Sequence, residues 1–223
     1  MFIHEMFQQK PCVFSVEVFP PKKAGAAEET LYPVLRELCT LGPDYISVTY
    51  GAGGGTAGQS TAKIASYIKN GLHVEALAHL TCVNSTRVQV EETLTRLRED
   101  NVENVLALRG DINPDLPRRM DFLHASDLAK AIAQTGGFGV AGACYPEGHV
   151  ESPSLKADVE SLRYKAEAGV SHLITQLFFD NVSYYRFLNM ARKAGISLPV
   201  QAGIMPIVSK RQIERTVYPA ISL

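Results

Sequence analysis

Short runs rich in β-branched and apolar residues recur along this chain at nearly even spacing. They begin near Val13, Tyr45, Val74, Val105, Phe138, Ser171 and Pro199, so successive runs start 28 to 33 residues apart. Each has the length of a strand buried on both faces. Between them the apolar period lengthens to that of a helix. Leu31, Val34, Leu35 and Leu38 fall on one helix face, as do Val90, Leu94 and Leu97, and then Leu155, Val159 and Leu162. Gly71, Gly169 and Gly195 follow helices, where a left-handed residue closes the last turn. Asn84 and Ser85 stand where a cap would start the third helix.

A strand and then a helix, repeated in this way, predicts a parallel sheet with right-handed crossovers. Such a sheet is either open and doubly wound or closed into a barrel. The open form carries a phosphate-binding glycine loop directly after its first strand. Here the first strand runs into Phe19-Pro20-Pro21-Lys22 instead. The expected fold is therefore α/β, a (β/α)8 TIM barrel. A complete barrel takes ~250 residues, whereas this chain of 223 residues stops soon after its seventh strand. The expectation is one (β/α) barrel domain over residues 1–223, truncated after the seventh strand, with the eighth β/α unit not present in the sequence. Two open strand edges would then need cover from a neighbouring copy or a partner.

Composition narrows the function classes. The net charge is −1, from 22 basic and 23 acidic residues, and no block of like charge stands out. Binding to nucleic acid or to an acidic membrane through a basic patch is not expected. The four cysteines, Cys12, Cys39, Cys82 and Cys144, form no CxxC pair and read as thiols in a reducing compartment. The segment Met1 to Lys10 lacks the apolar run of a signal peptide, and no stretch approaches the ~18 apolar residues of a membrane span. A cytoplasmic protein is expected.

In barrels of this kind the active site gathers at the C-terminal ends of the strands, and there the polar residues of this chain collect. The first strand carries Glu17. The second ends in Thr49-Tyr50-Gly51, the third holds His79, and the fourth ends in Arg109-Gly110-Asp111. The fifth ends in Tyr145-Pro146-Glu147-Gly148-His149, the sixth holds Gln176, and the seventh ends in Gly203-Ile204-Met205-Pro206. Each has a plain structural alternative. Glu17 is either a carboxylate paired with a core arginine or a carboxyl whose pKa is raised by burial, which suits a general acid. His79 is either a core histidine or a ligand-binding one. Asp111 either caps a helix, pairs with Arg109 or acts at the site. The glycine run at 51–55 cradles phosphate or is a loop; no Lys-Ser or Lys-Thr follows as in a P-loop. No metal site is expected, since His73 and His79 lack a carboxylate or cysteine at short spacing. A serine hydrolase is disfavoured by the absence of a GxSxG elbow.

Taken together, these strand ends resemble the methylenetetrahydrofolate reductase family. The matching segments are Phe14–Pro21, Ser47–Ala52, His79–Cys82, Ala107–Asp111, Tyr145–His149, Ile174–Asp180 and Gly203–Pro206, in family order. The resemblance implies a (β/α)8 barrel with FAD at its C-terminal mouth. It implies reduction of 5,10-methylenetetrahydrofolate to 5-methyltetrahydrofolate, with NADH or NADPH as electron donor and hydride passing through the flavin. Glu17 matches the family's catalytic glutamate, the acid that opens the folate ring, and Asp111 its aspartate near flavin and pterin. FAD contacts carry over to Thr49, Tyr50, His79, Arg109, Gly110, Asp111, Ala125, Tyr145 and His149. Asp158 and Lys165 match groups reaching the ribose and diphosphate. Gln176 and Gln212 match folate contacts.

The chain departs from the family pattern at Ser161 and Tyr164, where further polar or basic residues are common. The match also fades after Gln212. The alternative is a truncated, non-catalytic flavin-binding or accessory subunit of the same family. A homo-oligomer or an electron-donating partner protein is compatible with either reading. A flavin-free barrel lyase or aldolase is the third reading, and it lacks a Schiff-base lysine on the seven expected strands.

Overall fold

In the computed structural model the described residues are 1–223 except 22, 24, 51–56, 113–118, 211 and 213–223. The glycine run at 51–55 therefore lies outside the described residues. The others form strands β1 (Ser15–Val18), β2 (Tyr45–Val48), β3 (Glu75–Thr81), β4 (Asn104–Leu108), β5 (Gly139–Cys144), β6 (His172–Thr175) and β7 (Val200–Gln201). Among the described residues these make one seven-stranded sheet, paired in chain order. Every pairing is parallel. The helices are α1 (Ile3–Gln9), α2 (Ala27–Thr30), α3 (Tyr32–Cys39), α4 (Ala57–Ser66), α5 (Arg87–Glu99), α6 (Ala125–Thr135), α7 (Leu155–Glu167) and α8 (Asn181–Lys193). The strands begin within two residues of the expected positions.

Side chains alternate across the sheet, and each set has its own core. Ile46, Val48, Ala76, Ala78, Val105 and Ala107 pack outward, in one cluster with Leu35, Ile64, Leu94, Leu128, Val159 and Phe187 of the surrounding helices. Tyr45, Leu77, Leu106 and Ala141 point inward and share a second cluster with Ile3 and Met6 of α1. The helix α1 closes the floor of the sheet, an element without a sequence signal. Its Ile3 N–H donates to Asn104 Oδ1 at 2.9 Å, and the Met1 ammonium meets Glu75 at 3.2 Å and Glu103 at 2.9 Å.

The sheet curls into a half-barrel, and one side chain spans its interior. Gln201 of β7 donates to Ser15 Oγ of β1 at 2.9 Å and accepts from the Tyr45 hydroxyl of β2. The fold is thus the expected α/β barrel architecture through its seventh strand.

Local expectations need three corrections. Val34 is 45% exposed, because Tyr32 and Leu35 carry the buried face of α3. Gly169 and Gly195 adopt the left-handed conformation, with φ of 98° and 83°. Gly71 does not; it ends a π-helical turn at Tyr67–Gly71, and His73 takes the positive φ of 57°. The cap of α5 is Thr86 rather than Asn84 or Ser85. Thr86 stands three residues before Gln89 and exchanges hydrogen bonds with it, which its neighbours cannot do. The Ser85 hydroxyl instead donates to the Thr81 carbonyl at 3.0 Å. Of the cysteines, Cys82 and Cys144 are buried, and burial pushes each thiol up to about 12, leaving it inert. Among the described residues no helix is long and apolar enough to cross a membrane.

Candidate active site

A cleft of about 1610 Å³ opens at the C-terminal ends of the strands. Pockets for drug-sized ligands measure ~300–1,000 Å³, so this cleft has room for a dinucleotide or for two smaller molecules. Glu17, Thr49, Tyr50, His79, Arg109, Gly110, Asp111, Ala125, Tyr145, His149, Asp158, Lys165 and Gln176 all line it. Gln212 does not. Its amide donates to the Pro206 carbonyl at 3.0 Å and accepts from Val208 N–H at 3.0 Å, which folds it onto its own segment.

The floor of the cleft is built by three neighbouring strands. Glu17 of β1 and Ser47 of β2 are register partners, and both face inward. His79 of β3 lies one inward position above Leu77, the register partner of Ser47. Ser47 Oγ lies 3.4 Å from Glu17 Oε2 and 2.6 Å from His79 Nε2, and His79 Nε2 lies 3.5 Å from Glu17 Oε2. The partners of Glu17 are thus a serine and a histidine, not the core arginine of the plain alternative. The Glu17 side chain opens into the cleft, at 46% exposure. Partial burial raises its pKa above the ordinary carboxylate value, and the Ser47 hydroxyl opposes that rise. His79 is only 7% exposed, and burial lowers its pKa to about 4, so its ring is neutral near pH 7.

One wall carries the positive charge. Arg109 leaves β4 just before Gly110, whose φ of 84° turns the chain; a Cβ there would lie 3.0 Å from Thr81 Cβ. The Arg109 guanidinium forms a bidentate pair with Glu151, at 2.5 and 2.7 Å. Asp111 is exposed beyond the turn. Lys165 of α7 donates to the Ala143 carbonyl of the neighbouring β5 at 2.6 Å, and burial lowers its pKa. Asp158, two turns earlier on α7, accepts from the His149 N–H at 3.2 Å and the Ser152 hydroxyl at 3.0 Å. It therefore pins the loop that follows β5. Tyr145 packs edge-on to His149, with ring centroids 4.7 Å apart. Gln176, at the end of β6, is exposed to the cleft, and its side-chain oxygen accepts from Leu177 N–H at 2.9 Å. Ser47, Glu151 and Ser152 were not singled out by sequence. Only Ser47 left a signal there, sharing the strand alternation of Tyr45.

The geometry can be set beside known proteins. The sequence model of the methylenetetrahydrofolate reductase family matches residues 2–219. The chain belongs to the methylenetetrahydrofolate reductase family. It is 37% identical over 201 residues to 5,10-methylenetetrahydrofolate reductase of Pectobacterium carotovorum, covering 90% of this chain and 66% of that protein. It is 36% identical over 220 residues to methylenetetrahydrofolate reductase (NADH) 1 of Arabidopsis thaliana, covering 92% of this chain and 37% of that protein. The family member thus spans about two thirds of its bacterial relative and little more than a third of the plant one. Among solved structures, 2,3-dimethylmalate lyase superposes with a TM-score of 0.62 at 12% identity, covering 99% of this chain and 82% of that one. At that identity the likeness concerns the barrel fold alone.

Proposed function

We propose that this chain reduces 5,10-methylenetetrahydrofolate to 5-methyltetrahydrofolate, using FAD and a reduced nicotinamide. The observation that carries the reading is Glu17, a carboxyl with a raised pKa at the floor of a large cleft. The methylene bridge of the folate accepts hydride poorly until its five-membered ring opens to an iminium ion. Ring opening needs a proton on the departing nitrogen, and an acid that keeps its proton nearer to neutral pH delivers it more readily. Glu17 is the general acid in this reading. Asp111 supplies negative charge that stabilises the cationic iminium. Gln176 presents an amide for the folate ring, and Gln212 reaches it only if its segment turns inward.

The cleft suits FAD in size and in charge. Arg109 and Lys165 both line the cleft, and a diphosphate requires such positive charge. Thr49, Tyr50, His79, Gly110, Ala125, Tyr145 and His149 complete the proposed cofactor contacts, and Asp158 holds the His149 loop in place. When bound, FAD supplies the two-electron carrier between nicotinamide and folate. The name of the Arabidopsis relative supports NADH as the donor.

The reading is tested by anaerobic stopped-flow absorbance. The FAD-loaded protein is reduced with NADH or NADPH, and reoxidation by methylenetetrahydrofolate is followed for the wild type and Glu17→Gln. Rapid reoxidation that is lost in the variant is expected. A flavin that folate cannot oxidise in the wild type would leave the accessory-subunit reading in its place.

A further inference from the structure

Ser47 lies between the two titratable groups at the floor of the cleft. It is 4% exposed, and its oxygen reaches His79 Nε2 at 2.6 Å and Glu17 Oε2 at 3.4 Å. A serine hydroxyl has one hydrogen and two lone pairs, so it can donate to only one of these neighbours at a time. A neutral imidazole has one N–H, on either nitrogen.

We propose that Ser47 is a positioning residue that couples the tautomer of His79 to the protonation state of Glu17. The proposal rests on the reading of Glu17 as the general acid. When Glu17 is ionised, Ser47 donates to Oε2 and offers His79 only a lone pair. Nε2 must then carry the histidine hydrogen. When Glu17 is protonated, it donates to Ser47, and Ser47 donates to a bare Nε2; the histidine hydrogen is then on Nδ1. The two states differ by one proton. Passing from the first to the second, a proton enters at Nδ1, the Nε2–H hydrogen moves to Ser47, and the Ser47 hydrogen moves to Glu17. The acid-ready state is therefore the Nδ1–H state. His79 lines the cleft, so a ligand that accepts a hydrogen bond from Nδ1 favours a protonated Glu17.

Among the described residues Tyr45 of β2, one inward layer deeper, also senses Glu17. Burial pushes its phenol up to about 12, so it stays neutral throughout the range in which Glu17 titrates.

The test is nitrogen and carbon NMR of the full chain without flavin or folate, on protein labelled at histidine and glutamate. In the wild type the His79 resonances should pass from the Nδ1–H to the Nε2–H pattern as pH rises through the Glu17 titration. Ser47→Thr, which restores a hydroxyl, should keep the exchange. Ser47→Ala should abolish it and move the Glu17 titration to higher pH, because the donor that favours the carboxylate is gone. Glu17→Gln should hold one His79 tautomer over the same range. A His79 tautomer that stays constant through the wild-type Glu17 titration overturns the proposal. So does an exchange that persists in Ser47→Ala or Glu17→Gln. No ligand is present, so the outcome is separate from whether folate oxidises the bound flavin.

Discussion

Arg109 and Glu151 face each other across the mouth of the cleft as a bidentate pair, at 2.5 and 2.7 Å. The hydrogen bonds that Arg109 donates to Glu151 are the main reason that the Arg109 pKa is raised. A diphosphate that uses Arg109 must compete with this carboxylate. The side chain of Glu151 is 53% exposed, so the pair is partly screened and the effect is modest. Glu151→Gln is expected to tighten FAD binding about two- to fivefold in a fluorescence titration at low salt. The gain should shrink as salt is raised. Equal or weaker binding by the variant would show that Glu151 does not compete for Arg109.

Glu17→Gln bears on the acid step more directly. An amide cannot protonate the departing nitrogen, and a general acid contributes roughly 10²–10⁴-fold. Reoxidation of reduced flavin by folate should slow by that order, while binding of FAD is retained. The pH profile of the wild type carries the same information. The Glu17 pKa is raised by burial, so folate reduction should persist above the pH at which an ordinary glutamate has ionised, then fall as Glu17 loses its proton. A profile whose alkaline limb sits at the ordinary glutamate value would count against burial as the tuning device.

Much of this was legible in the sequence, for physical reasons. The even spacing of apolar runs located the strands. In the structure the alternation along each strand puts Tyr45 and Ser47 inward together, with Glu17 and His79 on the same side of neighbouring strands. Strand ends carry the site in a barrel, so reading polar residues on strands and at strand ends located ten of the fourteen candidates, all on the cleft wall; Ala125, Asp158 and Lys165, on helices, came from the resemblance and line it too. What failed was long-range or aperiodic. Arg109 and Glu151 are 42 positions apart on separate loops, and no local pattern links them. The α1 floor helix is seven residues long, too short to show a period. Gln201 spans the barrel interior to Ser15 across 186 positions, a contact that only the curl of the sheet creates. Gln212 was placed by resemblance alone, in a segment that here bonds to itself.

The end of the sheet near the cleft depends on a glycine. Gly203 N–H donates to Thr175 Oγ1 at 2.9 Å, and a Cβ at this position would lie 2.4 Å from the Thr175 carbonyl oxygen. That neighbour is backbone, so relief requires β6 and the chain after β7 to separate. Gly203→Ala should lower stability by roughly 1–3 kcal/mol and weaken ligand binding through Gln176, the residue after Thr175. Urea unfolding checks the first effect and folate binding the second. An unchanged midpoint would mean that the chain shifts without loss.

The barrel floor sets the response to acid. His172 of β6 is 1% exposed, and neither ring nitrogen has a hydrogen-bond partner among the described residues; the centroid of the Phe7 ring lies 5.5 Å away. Burial, and next the nearby His4, lower its pKa to about 4. In the unfolded chain a histidine titrates near ~6.5. Between these values the unfolded chain binds a proton that the folded one refuses, so stability is full above the upper value and falls as pH drops toward the lower one. His79, buried on the cleft side, adds to the trend in the same direction. The urea midpoint should therefore fall between pH 7.5 and pH 5, by a free energy on the order of a few kcal/mol. His172→Leu replaces an unpaired buried ring with an apolar group of similar size, which is neutral to stabilising near pH 7.5. It should also reduce the slope, leaving the part due to His79. A midpoint that does not move with pH in the wild type, or an equal slope in His172→Leu, would show that His172 is protonated in the folded state.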